Sequence, residues 1–283
     1  MRISIQDTAS FLVASRTPNL IIVALTQVAS TYFLIGVELP NILTVRFGLF
    51  IISTAMIGAG GYIINDYFDQ KVDMINRPET VLIGTNLRRR LALFFHAALT
   101  SGGILLGFFI DPFVGAIHIF SSGALWTYSG ILKRQLLIGT LTIAFLTSLS
   151  MLIVLVYFRE FNILVVAYAM FGCVTVFIRE SLKDIISAKG ESKFGYQSVP
   201  IVWGIRGAKV LIFMAGLTGV GLLIFYLFSM PNWSVRYFFL GVSAIIIWLF
   251  YRLTLADQIR EFKQIKKAID LIIMLGLASM LLI

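Results

Sequence analysis

Nine apolar runs divide this chain, each close to the roughly 20 residues that a helix needs to cross a bilayer. They are Asn19–Val37, Thr44–Tyr67, Leu91–Ile110, Pro112–Tyr128, Leu136–Tyr157, Asn162–Leu182, Ala208–Ser229, Ser234–Leu253 and Ala268–Ile283. In lipid, every backbone N–H and C=O must be satisfied internally, which leaves helices or closed barrels. Barrel strands alternate in polarity, and these runs do not. The expected fold is all-α: a polytopic membrane protein, a bundle of nine transmembrane helices with loops capping its cytoplasmic end. No linker or composition break interrupts residues 1–283, so a single domain is expected. The last run is short and is expected to sit tilted or to end within the bilayer.

Composition agrees with this reading. The chain is 59% hydrophobic and 13% charged, about half the charged fraction of a soluble domain. Its net charge is +9, and the distribution of that charge orients the bundle. Of the 23 Lys and Arg residues, 20 lie before the first run or in alternate loops. These include Arg2 and Arg16; Lys71, Arg77, Arg88, Arg89 and Arg90; Lys133 and Arg134; and Arg179 to Lys209. The opposite side holds only Arg46, Arg159 and Arg236. By the positive-inside rule the N-terminus is cytoplasmic and the C-terminus external, which in a bacterium means the inner membrane. No basic face or zinc motif points to nucleic acid, and the partner expected of such a surface is membrane lipid. Residues 1–16 lack the pattern of a secretory signal. Ile3, Ile5, Phe11, Leu12 and Val13 suit a short helix lying in the interface. Cys173 is the sole cysteine, so no intramolecular disulfide is possible, and His96 and His118 are too scattered for a histidine metal site.

Seven of the 14 acidic residues fall in two clusters at the cytoplasmic ends of apolar runs. Carboxylates near a bilayer are costly and mark functional sites. In the first cluster Asn65, Asp69 and Asp73 follow i, i+4, i+8 spacing, which lines one face if the helix continues about two turns past the run. Asp66 and Glu79 lie nearby. A row of oxygens at that spacing suits a hard cation such as Mg²⁺, which takes one or two carboxylates plus phosphate oxygens and water. Gly58, Gly60 and Gly61, just before it, allow close helix packing. The second cluster repeats i, i+4 spacing at Glu180 and Asp184, with Arg179 and Lys183 interleaved and Glu191 following. Residues 190–200 are expected as a loop capping the site. Between the clusters, Tyr128 to Arg134 closes the fourth run, and Lys133 and Arg134 suit diphosphate oxygens, Arg as a fork and Lys as a point charge.

These motifs resemble those of the UbiA superfamily of intramembrane prenyltransferases over essentially the whole chain. Asn65, Asp69 and Asp73 match that family's N-x-x-x-D-x-x-x-D motif in full. Asn76-Arg77-Pro78-Glu79 is similar to the segment that follows it, Tyr128–Arg134 to its tyrosine–lysine motif, and Arg16-Thr17-Pro18-Asn19 to the approach to its first helix. Arg179, Glu180, Lys183, Asp184, Ile185 and Gly190 resemble R-E-x-x-K-D-I-x-D-x-x-G-D of the archaeal-lipid members. Ser187 and Glu191 stand where that pattern has aspartates. The resemblance implies a Mg²⁺-dependent enzyme that transfers a prenyl group from an isoprenyl diphosphate to a membrane-associated acceptor. It implies metal ligation by Asn65, Asp69, Asp73, Glu180, Asp184 and Glu191. Asp69, Asp73, Asp184 and Lys133 are the implied catalytic set. Arg16, Asn19, Arg77, Tyr128, Lys133, Arg134 and Lys183 are the implied substrate-binding set. The second motif leans toward a glycerol-phosphate lipid acceptor of the geranylgeranylglycerol-phosphate type; an aromatic quinone precursor, similar to hydroxybenzoate or naphthoate, is the alternative. Outside this class stand a cation-binding transporter and a non-catalytic lipid-binding relative. The acids argue against a transporter, because they sit at helix ends and not at the midplane where transporters place their sites.

Overall fold

The computed structural model describes residues 11–229 and 233–283. The interfacial helix expected around Ile3 and Ile5 lies largely outside them. Among the described residues the regular structure is helical, apart from one isolated pairing of Ile83 with Leu87. Among the described residues nine helices of 13 residues or more follow in order: α1 (Thr17–Ala29), α2 (Val45–Asn76), α3 (Arg89–Ile110), α4 (Pro112–Gly130), α5 (Ile138–Phe158), α6 (Ile163–Ser192), α7 (Gly204–Ser229), α8 (Trp233–Leu255) and α9 (Ile259–Ser279).

Among the described residues six segments are long and apolar enough to cross a membrane: Thr17–Ile35, α2, α3, α5, α6 and Gly204–Phe225 of α7. Among the described residues α4 and α9 fall outside that set because of their composition. Helix α8 runs over 23 residues and is apolar through Leu240–Leu255. Helix α9 starts earlier than the apolar run and takes in Arg260, Glu261, Lys263, Lys266 and Lys267. Helix α4 is diluted by glycine, serine and histidine.

Helix ends follow local chemistry. Thr44 caps α2, its hydroxyl accepting from the Phe47 N–H at 3.3 Å. Pro78 ends the helix two residues past Asn76, since the residue before a proline is pushed out of helical geometry. Asp111 caps α4, accepting from the Phe113 N–H at 2.8 Å, with Pro112 in the first turn. Its carboxyl is held below the ordinary carboxylate range chiefly by the hydrogen bond from Arg159. Asn162 caps α6, accepting from the Leu164 N–H at 2.9 Å. Glu261 reaches back over the start of α9 to accept from the Asp257 and Gln258 N–H groups at 2.8 and 2.9 Å, which hold its carboxyl low as well.

The chain forms two compact units. Both units are built from the same kind of apolar helix, with no composition break between them. In the first unit (up to Tyr32, Val37–Lys133 and Ile153–Glu160), α2 packs along α1, α3 and α4. Small residues let the backbones approach: a Cβ on Gly103 would lie 3.0 Å from the Ser53 carbonyl, and one on Gly107 would lie 3.0 Å from the Gly115 Cα. Two buried histidines tie the helices. His118 Nε2 lies 2.9 Å from Ser53 Oγ, and His96 Nδ1 lies 2.9 Å from the Gly60 carbonyl, to which it donates. Phe47, Phe50, Tyr157 and Phe158 form an aromatic cluster in the same unit.

In the second unit (Phe33–Gly36, Arg134–Leu152 and Phe161 onward), α6 packs against α7 and α9, and α8 packs against both of those. Tyr168 and Ser279 hydrogen-bond at 2.8 Å between α6 and α9. The Ser148 hydroxyl on α5 donates to the Ala169 carbonyl on α6 at 2.8 Å.

Candidate active site

Both acidic clusters lie on helices that outrun their apolar segments. Helix α2 continues to Asn76 and α6 to Ser192. The helical row expected for Asn65, Asp69 and Asp73 therefore forms. The loop expected from residue 190 instead begins after Ser192, and Gly190, Glu191 and Ser192 belong to the helix.

In the first unit, Asp69 is 2% exposed. Its Oδ2 accepts from Asn65 Nδ2 at 2.9 Å and also from Lys133 Nζ. Asn65 Oδ1 and Asp69 Oδ1 are buried and have no hydrogen-bond partner. A buried polar atom without a partner costs about 1–3 kcal/mol, so two on adjacent turns need an explanation. A neutral amide oxygen beside a carboxylate oxygen is a donor set that a hard, oxygen-seeking cation takes; on this observation the residues fit Mg²⁺. Asp73 differs from the expected open row. Arg77 forks onto both its oxygens, at 3.0 and 3.3 Å, because the two stand one helical turn apart with opposite charge. Among the described residues no three His, Cys, Asp or Glu side chains gather tightly enough to hold a metal unaided. Any ion here shares its shell with a ligand or water.

Arg16 donates to Asp66 Oδ1 at 2.7 Å, and its guanidinium lies 4.9 Å from the centre of the Tyr62 ring. Its backbone is left-handed, at φ 50° and ψ 49°. That conformation costs a non-glycine residue about 1–2 kcal/mol and is typical of sites whose surroundings over-determine it. Asn19 Nδ2 donates to the Tyr62 hydroxyl at 3.4 Å, so Arg16 and Asn19 converge on one tyrosine. Tyr128 is buried on the last turns of α4.

In the second unit, Glu180 is buried and accepts on both oxygens, from Arg179 at 2.8 Å and from Lys183 at 3.0 Å. Arg179 also donates to Asp270 on α9 at 2.6 Å, and Lys266 reaches the same carboxylate at 2.9 Å. Asp184 Oδ2 accepts from the Thr140 hydroxyl on α5 at 3.0 Å. Glu191 is 3% exposed and accepts from Ser187 at 2.5 Å and from Ser198 at 3.2 Å. The Arg134 guanidinium lies 5.4 Å from the Tyr196 ring centre, and the Arg134 carbonyl accepts from the Gln197 N–H at 2.9 Å. The chain passes from one unit to the other between Lys133, which pairs with Asp69, and Arg134, which lies against Tyr196.

Sequence reasoning passed over Thr140, Ser198, Tyr62 and Asp270 as site residues. Only Asp270 carried a usable signal, a lone acid inside the last apolar run. The other three are ordinary helix or loop residues until tertiary structure brings partners to them.

A helical membrane protein with two carboxylate sets, each interleaved with Lys and Arg, has the make-up of an enzyme that handles an anionic, lipid-soluble substrate. The family model of the UbiA prenyltransferase family matches residues 21–276. The digeranylgeranylglyceryl phosphate synthase of Methanothermobacter thermautotrophicus is 33% identical over 69% of this chain and 72% of its own length. A solved digeranylgeranylglyceryl phosphate synthase studied in membranes superposes with a TM-score of 0.73 at 21% identity, covering 98% of each chain. A UbiA homologue from Archaeoglobus fulgidus bound to GPP and Mg²⁺ gives 0.67 at 15% identity, over 96% of this chain and 99% of that one. The chain belongs to the UbiA prenyltransferase family: it is an integral membrane protein and an enzyme that transfers prenyl groups.

Proposed function

We propose that the protein transfers a prenyl group, of the geranylgeranyl class, from its diphosphate to a glycerol-phosphate lipid acceptor, with Mg²⁺ as cofactor. The observation that carries the metal site is the pair of buried, unpartnered oxygens on Asn65 and Asp69. The name of the relatives supports the acceptor, and the GPP and Mg²⁺ bound by the Archaeoglobus homologue support the donor and the ion. Because the family model spans residues 21–276, the two units are read as one functional domain. The bias of basic residues supports a cytoplasmic N-terminus and active site, with membrane lipid and not nucleic acid as the surrounding partner. The family membership speaks against the transporter reading.

In this reaction the bond between C1 and oxygen of the allylic diphosphate breaks, and its electron pair leaves with the diphosphate. The acceptor hydroxyl attacks C1 to form an ether and gives up its proton. Bound magnesium supplies charge neutralisation to the leaving group. In the first unit Asn65 and Asp69 would hold an ion, and in the second unit Asp184 would offer a carboxylate oxygen to one. Lys133 neutralises Asp69 and, at the end of that contact, its ammonium would be available to diphosphate oxygens. Arg77 in the first unit, and Lys183 and Arg134 in the second, are further cations of the kind that stabilises diphosphate charge. Arg16, held by Asp66 and Tyr62, is placed to take the acceptor phosphate. Apolar helices keep water from the allylic cation.

Diphosphate release from geranylgeranyl diphosphate by the purified protein, with and without Mg²⁺, tests the proposal. Glycerol-phosphate and phenolic acceptors are supplied in parallel. Release that needs the metal and a glycerol-phosphate acceptor is expected. Release with phenolic acceptors alone would replace the acceptor assignment, and metal-independent release would remove the magnesium site.

A further inference from the structure

We propose that the second acidic set divides its labour: Asp184 alone presents an oxygen to the metal, and Glu191 is a positioning residue that braces the segment after α6. This rests on the reading of that set as part of a Mg²⁺ site. In the family pattern both positions 187 and 191 are aspartates. Two carboxylates one helical turn apart repel, and a cation between them relieves that repulsion. Here Ser187 removes one charge, and its hydroxyl donates to Glu191 at 2.5 Å. The carboxylate–carboxylate repulsion that a cation would relieve at this pair is gone with the substitution.

Glu191 then turns inward. It is 3% exposed, and its second oxygen accepts from Ser198 at 3.2 Å. Its backbone carbonyl accepts from the Phe194 and Tyr196 N–H groups at 3.0 and 3.3 Å. Ser198 precedes the short helix Val199–Val202, so the carboxylate joins the end of α6 to the chain that leads into α7. That segment lays Tyr196 against the Arg134 guanidinium and donates the Gln197 N–H to the Arg134 carbonyl. The brace therefore fixes the surroundings of a diphosphate-binding cation without itself touching substrate.

The remaining acids sort by the same criterion. Glu180 is buried between Arg179 and Lys183, with a cation on each oxygen. Asp184 is half-buried, spends one oxygen on the neutral Thr140 hydroxyl, and forms no ion pair among the described residues. Glu191 spends both oxygens on serine hydroxyls, whereas Asp184 has one oxygen left over, and that is the one a divalent cation can take.

The test measures Mn²⁺ binding by electron paramagnetic resonance on the full-length protein in nanodiscs. A non-reactive geranylgeranyl thiodiphosphate is present throughout, and apparent melting temperatures are recorded in parallel. Asp184→Asn is expected to weaken Mn²⁺ binding by about tenfold or more while leaving the melting temperature nearly unchanged. Glu191→Gln keeps one acceptor for one serine and offers its amide to the other, so Mn²⁺ affinity and melting temperature stay close to wild type. Glu191→Ala is expected to lower the melting temperature by about 5 °C and to reduce turnover, with Mn²⁺ affinity again nearly unchanged. Should that variant fail to fold, Ser198→Ala removes half of the brace and is expected to show the same pattern at smaller size. Weakening of Mn²⁺ binding by Glu191→Gln to the extent of Asp184→Asn would make Glu191 a ligand and overturn the proposal, as would wild-type Mn²⁺ affinity in Asp184→Asn. A wild-type protein that takes up no Mn²⁺ with the thiodiphosphate would overturn the magnesium reading itself and the Asp184 assignment with it; the contrast between Gln and Ala at position 191 then decides the brace.

Discussion

Lys133→Met tests the charge balance of the first acidic set. Without the ammonium, the Asp69 carboxylate, 2% exposed, keeps only the Asn65 amide. Removing one partner of a buried pair costs about 3–5 kcal/mol, mostly for the charge left behind. The Lys133 side chain is 11% exposed, so some water reaches this end of the pair and the lower figure of about 3 kcal/mol applies. At about 2–4 °C per kcal/mol for a chain of this size, the apparent melting temperature without metal should fall by about 6–12 °C. Far-UV circular dichroism in detergent reads this directly. Combining Lys133→Met with Asp69→Leu removes both charges, and well-packed apolar replacements of a buried pair are close to neutral. The double variant should therefore recover about 2 kcal/mol or more relative to the sum of the single losses. Mg²⁺ with inorganic diphosphate should also shrink the loss in Lys133→Met, because the ion supplies the missing countercharge. Strict additivity in the cycle would refute the coupling, and a loss indifferent to Mg²⁺ would show that the ion does not go to Asp69.

Three further outcomes follow from the geometry. Asp111→Ala removes the α4 cap and should cost about 1 kcal/mol; its partner Arg159 is 72% exposed, so that ion pair adds little. Because the folded-state pKa of Asp111 lies below 3.8, its contribution is complete above that value and is lost as pH falls through the lower folded-state one; the melting-temperature gap between wild type and variant should close on acidification. Asp270→Asn weakens the hold on Arg179 and should lower turnover several-fold, with Lys266→Met having the smaller effect, read as diphosphate release at saturating Mg²⁺. Gly107→Val drives a side chain into the Gly115 backbone and should destabilise the first unit by about 1–3 kcal/mol, read by thermal unfolding.

Much of this protein is legible along the chain. Nine apolar runs of bilayer length, without period-two alternation, dictate helices, because lipid offers the backbone no other partner. Both acidic motifs follow from spacing, since i, i+4 recurrence puts side chains on one helical face whatever the rest of the fold does. The single-charge change at Ser187 is equally visible in the residues.

Tertiary structure decided which acids are open. The sequence treats Asn65, Asp69, Asp73, Glu180, Asp184 and Glu191 alike, because composition and spacing carry no record of the partner that each oxygen meets. Folding brings Lys133 from 64 positions away onto Asp69 and Thr140 from 44 positions away onto Asp184. It seals Glu191 between Ser187 and Ser198 and leaves two oxygens of Asn65 and Asp69 buried without partners. Asp270 joins Arg179 across 91 positions for the same reason. Helical periodicity is a local property that a string of residues encodes directly. Burial and ion pairing depend on which helices pack together, and that emerges only when the whole chain has folded.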